Sequence, residues 1–200
     1  MINPRYPDIM RHSIFSTPIV TPILRFMANS CLKLCGWRVE ANELPSTPYV
    51  FIGAPHTSNW DFMLLIAGVL HLHLDIRWMG KHTLFPPVIG TVMRWMGGIP
   101  VNRTKAHSMV SRMADLIREE PDTILCIPPE GTRSKVKEWK SGFYHIARQA
   151  QVPILLAAID AENKTLRMLG EFKPGDDLDS DMQSIQAAYK GLKGIRPENT

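Results

Sequence analysis

Cysteine is scarce, three in 200 residues, too few for the disulfide framework that staples small secreted domains. Cys31 and Cys35 stand one helical turn apart and Cys126 lies inside a strand-like run. Together they read as small thiols in a reducing compartment. No cysteine or histidine spacing matches a zinc site, so no metal is expected. The G-x-S-x-G turn of serine hydrolases is absent, as are internal repeats and low-complexity tracts. Long apolar runs are missing too. Outside the N-terminal segment the longest uncharged one, Phe62 to Leu70, has nine residues, whereas a membrane-spanning helix needs about 20. The first dozen residues lack the apolar core and small-residue cleavage site of a signal peptide. A protein made and kept in the cytoplasm is the expectation.

What is present is an ordinary globular composition, 44% hydrophobic and 21% charged, with enough chain for one domain and a sizeable core. The charge balance is positive, formally +4 with a pI near 9.1. That suggests anionic partners such as phosphate groups, an acidic membrane surface or an acidic carrier protein; nucleic acid is not expected among them. Residues 1–38 hold five basic side chains (Arg5, Arg11, Arg25, Lys33, Arg38) against one acidic, Asp8. After an irregular arm, Ile19, Val20, Ile23, Leu24, Met27 and Cys31 recur at helical spacing between Ile14 and Leu34. This is an amphipathic helix, with Pro22 tolerable only near its first turn. Two readings stay open for it: a helix packed on the domain's own core, or an interfacial helix resting on anionic lipid.

The chain is organised around HTSNWD, His56 to Asp61. A β-prone run, Tyr49 to Ala54, leads into it, Pro55 ends that run, and an apolar stretch from Phe62 follows as a helix. Thr57 and Ser58 are natural N-cap residues, so the motif occupies a strand-to-helix turn. On one helix, residues five apart face different sides. His56 and Asp61 therefore meet only if His56 precedes the helix and Asp61 sits in its first turn, where the unpaired N–H groups favour a carboxylate. An imidazole held by a carboxylate is suited to general-base work.

Three further stretches accompany it: GGIPVNR (Gly97 to Arg103), PEGTRS (Pro129 to Ser134) and VPI (Val152 to Ile154). In this order and at these distances the four stretches resemble the sequence blocks of the glycerolphosphate and lysophosphatidic acid acyltransferase family, over roughly residues 50 to 160. PEGTRS is the most specific of them. The resemblance implies transfer of a fatty acyl group from acyl-CoA or an acyl carrier protein thioester to a hydroxyl of a lysolipid acceptor, lysophosphatidate by default. No cofactor is implied beyond that thioester co-substrate. His56 would be the base and Asp61 its orienting partner, and without a nucleophile elbow no covalent acyl-enzyme is indicated. Arg103 and Arg133 offer the guanidinium fork that matches phosphate. Lys81 adds a point charge, and the Gly131–Thr132 turn offers backbone N–H groups to phosphate or oxyanion. Glu130, a carboxylate among these cations, is read as orienting the arginines or bonding an acceptor hydroxyl. The sequence departs from the family's pattern at Pro55, at Pro128 and in the run after VPI, which leaves acceptor and chain length open.

The rest of the chain alternates strand and helix. Trp37 to Ala41, Ile76 to Met79, Ile99 to Asn102, Thr123 to Ile127 and Pro153 to Asp160 read as strands, with Lys164 to Leu169 as an edge strand antiparallel to the last. Helices are expected at Pro86 to Met96, Ala106 to Glu119, Ser141 to Gln149 and Leu178 to Leu192, followed by a frayed tail. Trp78, Met79, Phe85, Met93, Trp95 and Met96 form a section rich in adaptable apolar side chains, mostly core but also a fit wall for an acyl chain. His71, His73 and Asp75 read as solvated residues at a helix end. The whole is an α/β layered domain with a mostly parallel central sheet flanked by helices. It divides into an N-terminal arm and amphipathic helix, residues 1–36, and an acyltransferase domain, residues 37–200. His56, Arg103 and Glu130 all follow strand-like runs, so they converge at one sheet edge, where ligands gather in such folds.

Overall fold

The computed structural model describes residues 12–41, 43–102 and 106–200. Seven strands form one sheet: β1 (Arg38–Glu40), β2 (Tyr49–Ala54), β3 (Ile76–Lys81), β4 (Gly98–Val101), β5 (Ile124–Ile127), β6 (Ile154–Asp160) and β7 (Thr165–Phe172). Their spatial order is β1-β7-β6-β2-β5-β3-β4. Only the β6–β7 pairing is antiparallel; every other neighbour runs parallel. Thr165–Phe172 does run antiparallel to β6, but it is not the edge expected from the sequence. The short β1 pairs along its outer side, Val39 opposite Leu166. No local pattern announces a pairing between segments so distant in the chain.

Strand β2 is the central blade, and its alternation assigns the two faces. Val50, Ile52 and Ala54 enter one core layer with α4 (Ala106–Glu119), α5 (Gly142–Ala150) and α6 (Leu178–Ala187). Tyr49 and Phe51 enter the other, beside α1 (Val20–Leu34), α2 (Asn59–His71) and α3 (Ile89–Trp95). Both layers are apolar, which is why the strand reads as a continuous hydrophobic run.

The N-terminal segment forms the expected helix, with one side on the domain and one exposed. Helix α1 starts at Val20, and Pro22 falls in its first turn, where an absent N–H breaks no helical bond. Thr21, Ala28 and Leu32 are the buried positions, while Ile19, Ile23, Phe26, Met27 and Leu34 stay more than half exposed. The side facing the domain is thus carried by Thr21, Ala28, Leu32 and the half-buried Leu24, while Ile23 and Met27 lie on the outer side. Ahead of the helix, Ile14 and Phe15 are buried, the Ile14 N–H donates to the Trp95 carbonyl at 2.9 Å, and Trp95 Nε1 donates to Thr17 Oγ1 at 3.0 Å. The segment is woven into the α2–α3 layer. Among the described residues no helix is long and apolar enough to cross a membrane.

The far end of the chain also differs. Helix α6 stops at Ala187, and the residues after it return to the sheet edge, tied there by the Ala161 N–H donating to the Lys193 carbonyl at 2.9 Å. The expected frayed tail is a docked one.

Candidate active site

Strand β2 delivers His56 two residues beyond its end, and Ser58 caps α2. The Ser58 hydroxyl accepts the Trp60 N–H at 3.0 Å, and Asp61, third in the helix, reaches back to complete a capping box. Asp61 Oδ2 accepts the N–H groups of Thr57 and of Ser58, the latter at 2.6 Å, and lies 3.4 Å from His56 Nδ1. One carboxylate therefore shapes the turn and steers the imidazole. Asp61 is 2% exposed and His56 25%. With Nδ1 turned to Asp61, Nε2 is the nitrogen left for a substrate proton. A contact of 3.4 Å is long for a hydrogen bond, and such bonds tighten when substrate binds.

Neighbouring strands bring the third sequence block to the same place. Ile52 of β2 pairs with Ile127 of β5; three residues further along each chain stand Pro55 and Glu130. Glu130 is buried, and its Oε1 accepts the His56 N–H at 2.9 Å. Its second oxygen, Oε2, is buried without a hydrogen-bond partner, as is Asp61 Oδ1. Burial pushes the Glu130 carboxyl above its ordinary value. The His56 N–H and the nearby imidazole oppose that shift, while the Asp61 charge adds to it. Beyond the roles read from the sequence, orienting the arginines or bonding an acceptor hydroxyl, Glu130 is bonded to the backbone of the His56 turn. No local signal marks that role, because it depends on strand order.

Gly131 follows at φ 66°, a left-handed conformation natural to glycine. Its N–H donates to the Pro128 carbonyl at 3.2 Å, so it is engaged within the turn and not aimed at an anion. Thr132 and Arg133 are exposed and, with His56 and Lys81, line one cavity. Neither Lys81 nor Arg133 has an ion-pair partner among the described residues. Arg103 lies outside the described residues. His71 instead faces Asn29, at 2.7 Å from its Oδ1, and Asp75 accepts from Ser13 Oγ at 2.9 Å. Among the described residues no cluster of histidine, cysteine or carboxylate groups is placed to hold a metal.

The cavity measures about 1050 Å³ and runs from the His56 turn between α2 and the sheet, at the upper end of small-molecule sites. Its walls are mostly apolar: Phe62, Leu65, Trp78, Met79, Met93 and Met96 contribute. Four of the six residues singled out as an adaptable apolar section thus line it, although Met79 also packs into the layer on the other face of the sheet; Trp95 is held by Thr17, and Phe85 packs on Trp78 with ring centres 5.9 Å apart. Sequence reading missed Gly53. It stands on the trench floor with only Phe51 near the place of a side chain, 3.9 Å away. A glycine on a strand is a signal of such close approach.

Comparison with known proteins agrees with this geometry. A family model described as Acyltransferase matches residues 37–160. The 1-acyl-sn-glycerol-3-phosphate acyltransferase of Haemophilus influenzae is 30% identical over 125 residues, covering 59% of this chain and 50% of that protein. The human 1-acyl-sn-glycerol-3-phosphate acyltransferase alpha is 30% identical over 148 residues, 66% of this chain and 49% of its own. The chain thus spans about half the length of the relatives it matches. The crystal structure of the 1-acyl-sn-glycerophosphate (LPA) acyltransferase PlsC from Thermotoga maritima superposes with a TM-score of 0.62 at 15% identity, over 86% of this chain and 78% of that one, and shares the fold. With four motif blocks in order and a family match over more than half its length, the chain belongs to the acyltransferase family.

Proposed function

We propose that the protein moves a fatty acyl group from an acyl thioester to a hydroxyl of a lysolipid, with lysophosphatidate as the acceptor its relatives' names suggest. One observation carries this reading: the His56–Asp61 pair stands at the wall of an apolar trench large enough for an acyl chain. His56 Nε2 takes the acceptor's hydroxyl proton as the oxygen attacks the thioester carbonyl. The tetrahedral adduct expels the thiolate, which recovers the proton from the imidazolium. Asp61 holds the ring and stabilises its charged form. No covalent enzyme intermediate is needed. Lys81 and Arg133, and Arg103 from the second sequence block, supply the positive charge that an acceptor phosphate or an anionic donor requires. The donor is acyl-CoA or an acyl carrier protein thioester.

The acceptor resides in a bilayer, so the trench must meet a membrane surface, here the cytoplasmic face. Helix α1 presents Ile23, Phe26 and Met27 outward with Lys33 nearby, and Val88, Ile89 and Val92 around α3 are exposed on the same layer. Apolar side chains of this size beside basic ones suit reversible binding to an anionic leaflet.

The deciding experiment is thiol release from long-chain acyl-CoA with and without lysophosphatidate. Release that requires the acceptor, with a diacyl product, supports the reading. Release at equal rate into water makes the protein a thioesterase, and no release with either leaves a lipid-binding module.

A further inference from the structure

Thr57, between the base and the helix cap, is 1% exposed, although Asp61 covers only its backbone N–H. The remainder is covered by the end of the chain. The Arg196 N–H donates to Thr57 Oγ1 at 3.1 Å, and Asn199 Nδ2 donates to the Thr57 carbonyl at 3.3 Å. Gly194 is pressed against the same side chain: a Cβ built there would stand 2.5 Å from Thr57 Cγ2 and 2.6 Å from Oγ1. The segment is itself closed into a compact unit. The Lys193 carbonyl is held by Ala161, the Gly194 N–H donates to Thr200 Oγ1 at 3.1 Å, and residues Pro197–Asn199 form a single tight turn.

These contacts complete a ring of restraints around three consecutive residues. Glu130 holds the His56 N–H, Asp61 holds the N–H groups of Thr57 and Ser58, and residues 194–199 hold the Thr57 hydroxyl and carbonyl. Every other restraint in the ring comes from the family's own motif blocks. The last comes from residues beyond the stretch 37–160 that the family model covers. Neither Thr57 nor any residue of this segment lines the trench. It therefore acts on the turn and not on a substrate.

We infer that residues 193–199 are a positioning strap, which fixes the catalytic turn through Thr57 and so sets where the His56 imidazole stands. The inference rests on the reading of His56 as the base. Gly194 is required for the close approach, Asn199 for the grip on the carbonyl, and the Arg196 backbone for the grip on the hydroxyl. A small displacement of a catalytic group costs heavily in rate because the reacting atoms must meet in near-attack geometry.

The test compares Gly194→Ala, Asn199→Ala and the isosteric Asn199→Asp, which removes the donor but not the volume, with His56→Ala in the full-length protein. The substrates are long-chain acyl-CoA and lysophosphatidate, with the His56 ring followed by NMR. The strap predicts a fall in kcat of about tenfold or more, an unchanged KM for acyl-CoA, an unchanged thermal midpoint and a displaced His56 ring signal. Wild-type kcat in all three variants beside an inactive His56→Ala overturns it. So does a loss of activity matched by a loss of thermal stability, which would make the segment a fold element only. If His56→Ala itself turns over, the base assignment fails separately. The strap is then judged on the His56 signal: one that does not move in Asn199→Asp overturns it, and one that moves supports it.

Discussion

Glu130 Oε1 accepts the backbone N–H of His56 at 2.9 Å across a separation of 74 residues. The bond joins two sequence blocks that look independent in the chain, and it binds the position of His56 to the strand register of β2 on β5. A buried N–H at the start of a functional turn needs an acceptor; leaving it unpaired costs about 1–3 kcal/mol.

Glu130→Gln is therefore expected to keep activity within a fewfold of wild type, since the amide oxygen still accepts the His56 N–H. Glu130→Ala is expected to lose most of it. Steady-state kinetics of the two variants checks this; a Gln variant as inactive as the Ala variant would mean that the negative charge itself acts on the substrate.

The same carboxyl gives a pH signature. Burial raises its folded pKa above the unfolded value, so within the window between them the folded state binds more protons than the unfolded. Stability then falls as pH rises from the ordinary carboxylate range toward the raised value. Thermal midpoints of wild type and Glu130→Gln measured from acid to neutral pH are expected to diverge in that direction, the variant gaining relative to wild type as pH increases.

His56→Ala is expected to lower kcat by about 10²–10⁴-fold with the fold intact, because a quarter of the side chain is exposed and the cap does not involve it. Asp61 separates two roles. Asp61→Asn retains an oxygen for the Thr57 and Ser58 N–H groups and for His56 Nδ1 but loses the charge that would stabilise an imidazolium, so activity is expected to fall while melting changes little. Asp61→Ala also removes its half of the capping box and leaves the Thr57 and Ser58 N–H groups without that acceptor, at about 1–3 kcal/mol. Calorimetry beside kinetics distinguishes the two.

Arg133→Lys, and Arg103→Lys outside the described residues, are expected to raise KM for lysophosphatidate roughly tenfold while sparing the thioester, since an ammonium cannot reproduce the two-pronged contact with phosphate. Equal losses toward donor and acceptor would remove the arginines from acceptor binding.

Gly53→Leu is expected to fill the trench floor and shift preference toward short acyl chains, seen as a fall in kcat/KM for long-chain acyl-CoA with short-chain donors retained. A proportionate loss at every chain length would place the acyl group elsewhere.

For the membrane, deletion of residues 1–35 is a poor test, because Ile14 and Phe15 are core residues. The double variant Ile23→Glu, Phe26→Glu touches only outward side chains. It is expected to abolish sedimentation with anionic liposomes, which in wild type weakens with salt, each basic residue near the surface being worth about 1 kcal/mol. Activity on a short-chain soluble acceptor is expected to survive.

Local chemistry was legible in the sequence wherever a few neighbouring residues settle it. The strand Tyr49–Ala54, the Ser58 cap and Asp61 in the first turn of α2 all stand where spacing and capping place them. Periodicity marked α1 as a helix and left its apolar face open between core and lipid, because a count of apolar residues does not distinguish a stripe of Ala28 and Leu32 from one of Ile23 and Met27. Three relationships were invisible: the bond from Glu130 to His56, the cover of β7 by β1, and the return of Asn199 to Thr57. Each pairs segments far apart in the chain through contacts that only the assembled sheet creates.

The strand order has a consequence for how such an enzyme can change. His56 and Glu130 follow β2 and β5, adjacent in the sheet, whereas α2, β3 and α3, which wall the trench, belong to the excursion between them. That excursion leaves and rejoins the sheet without passing between these two strands. Its loops can lengthen, and its methionines and tryptophans can be exchanged, with no shift in the register of β2 on β5 that seats His56. The trench is thus free to change shape while the contact between His56 and Glu130 is kept.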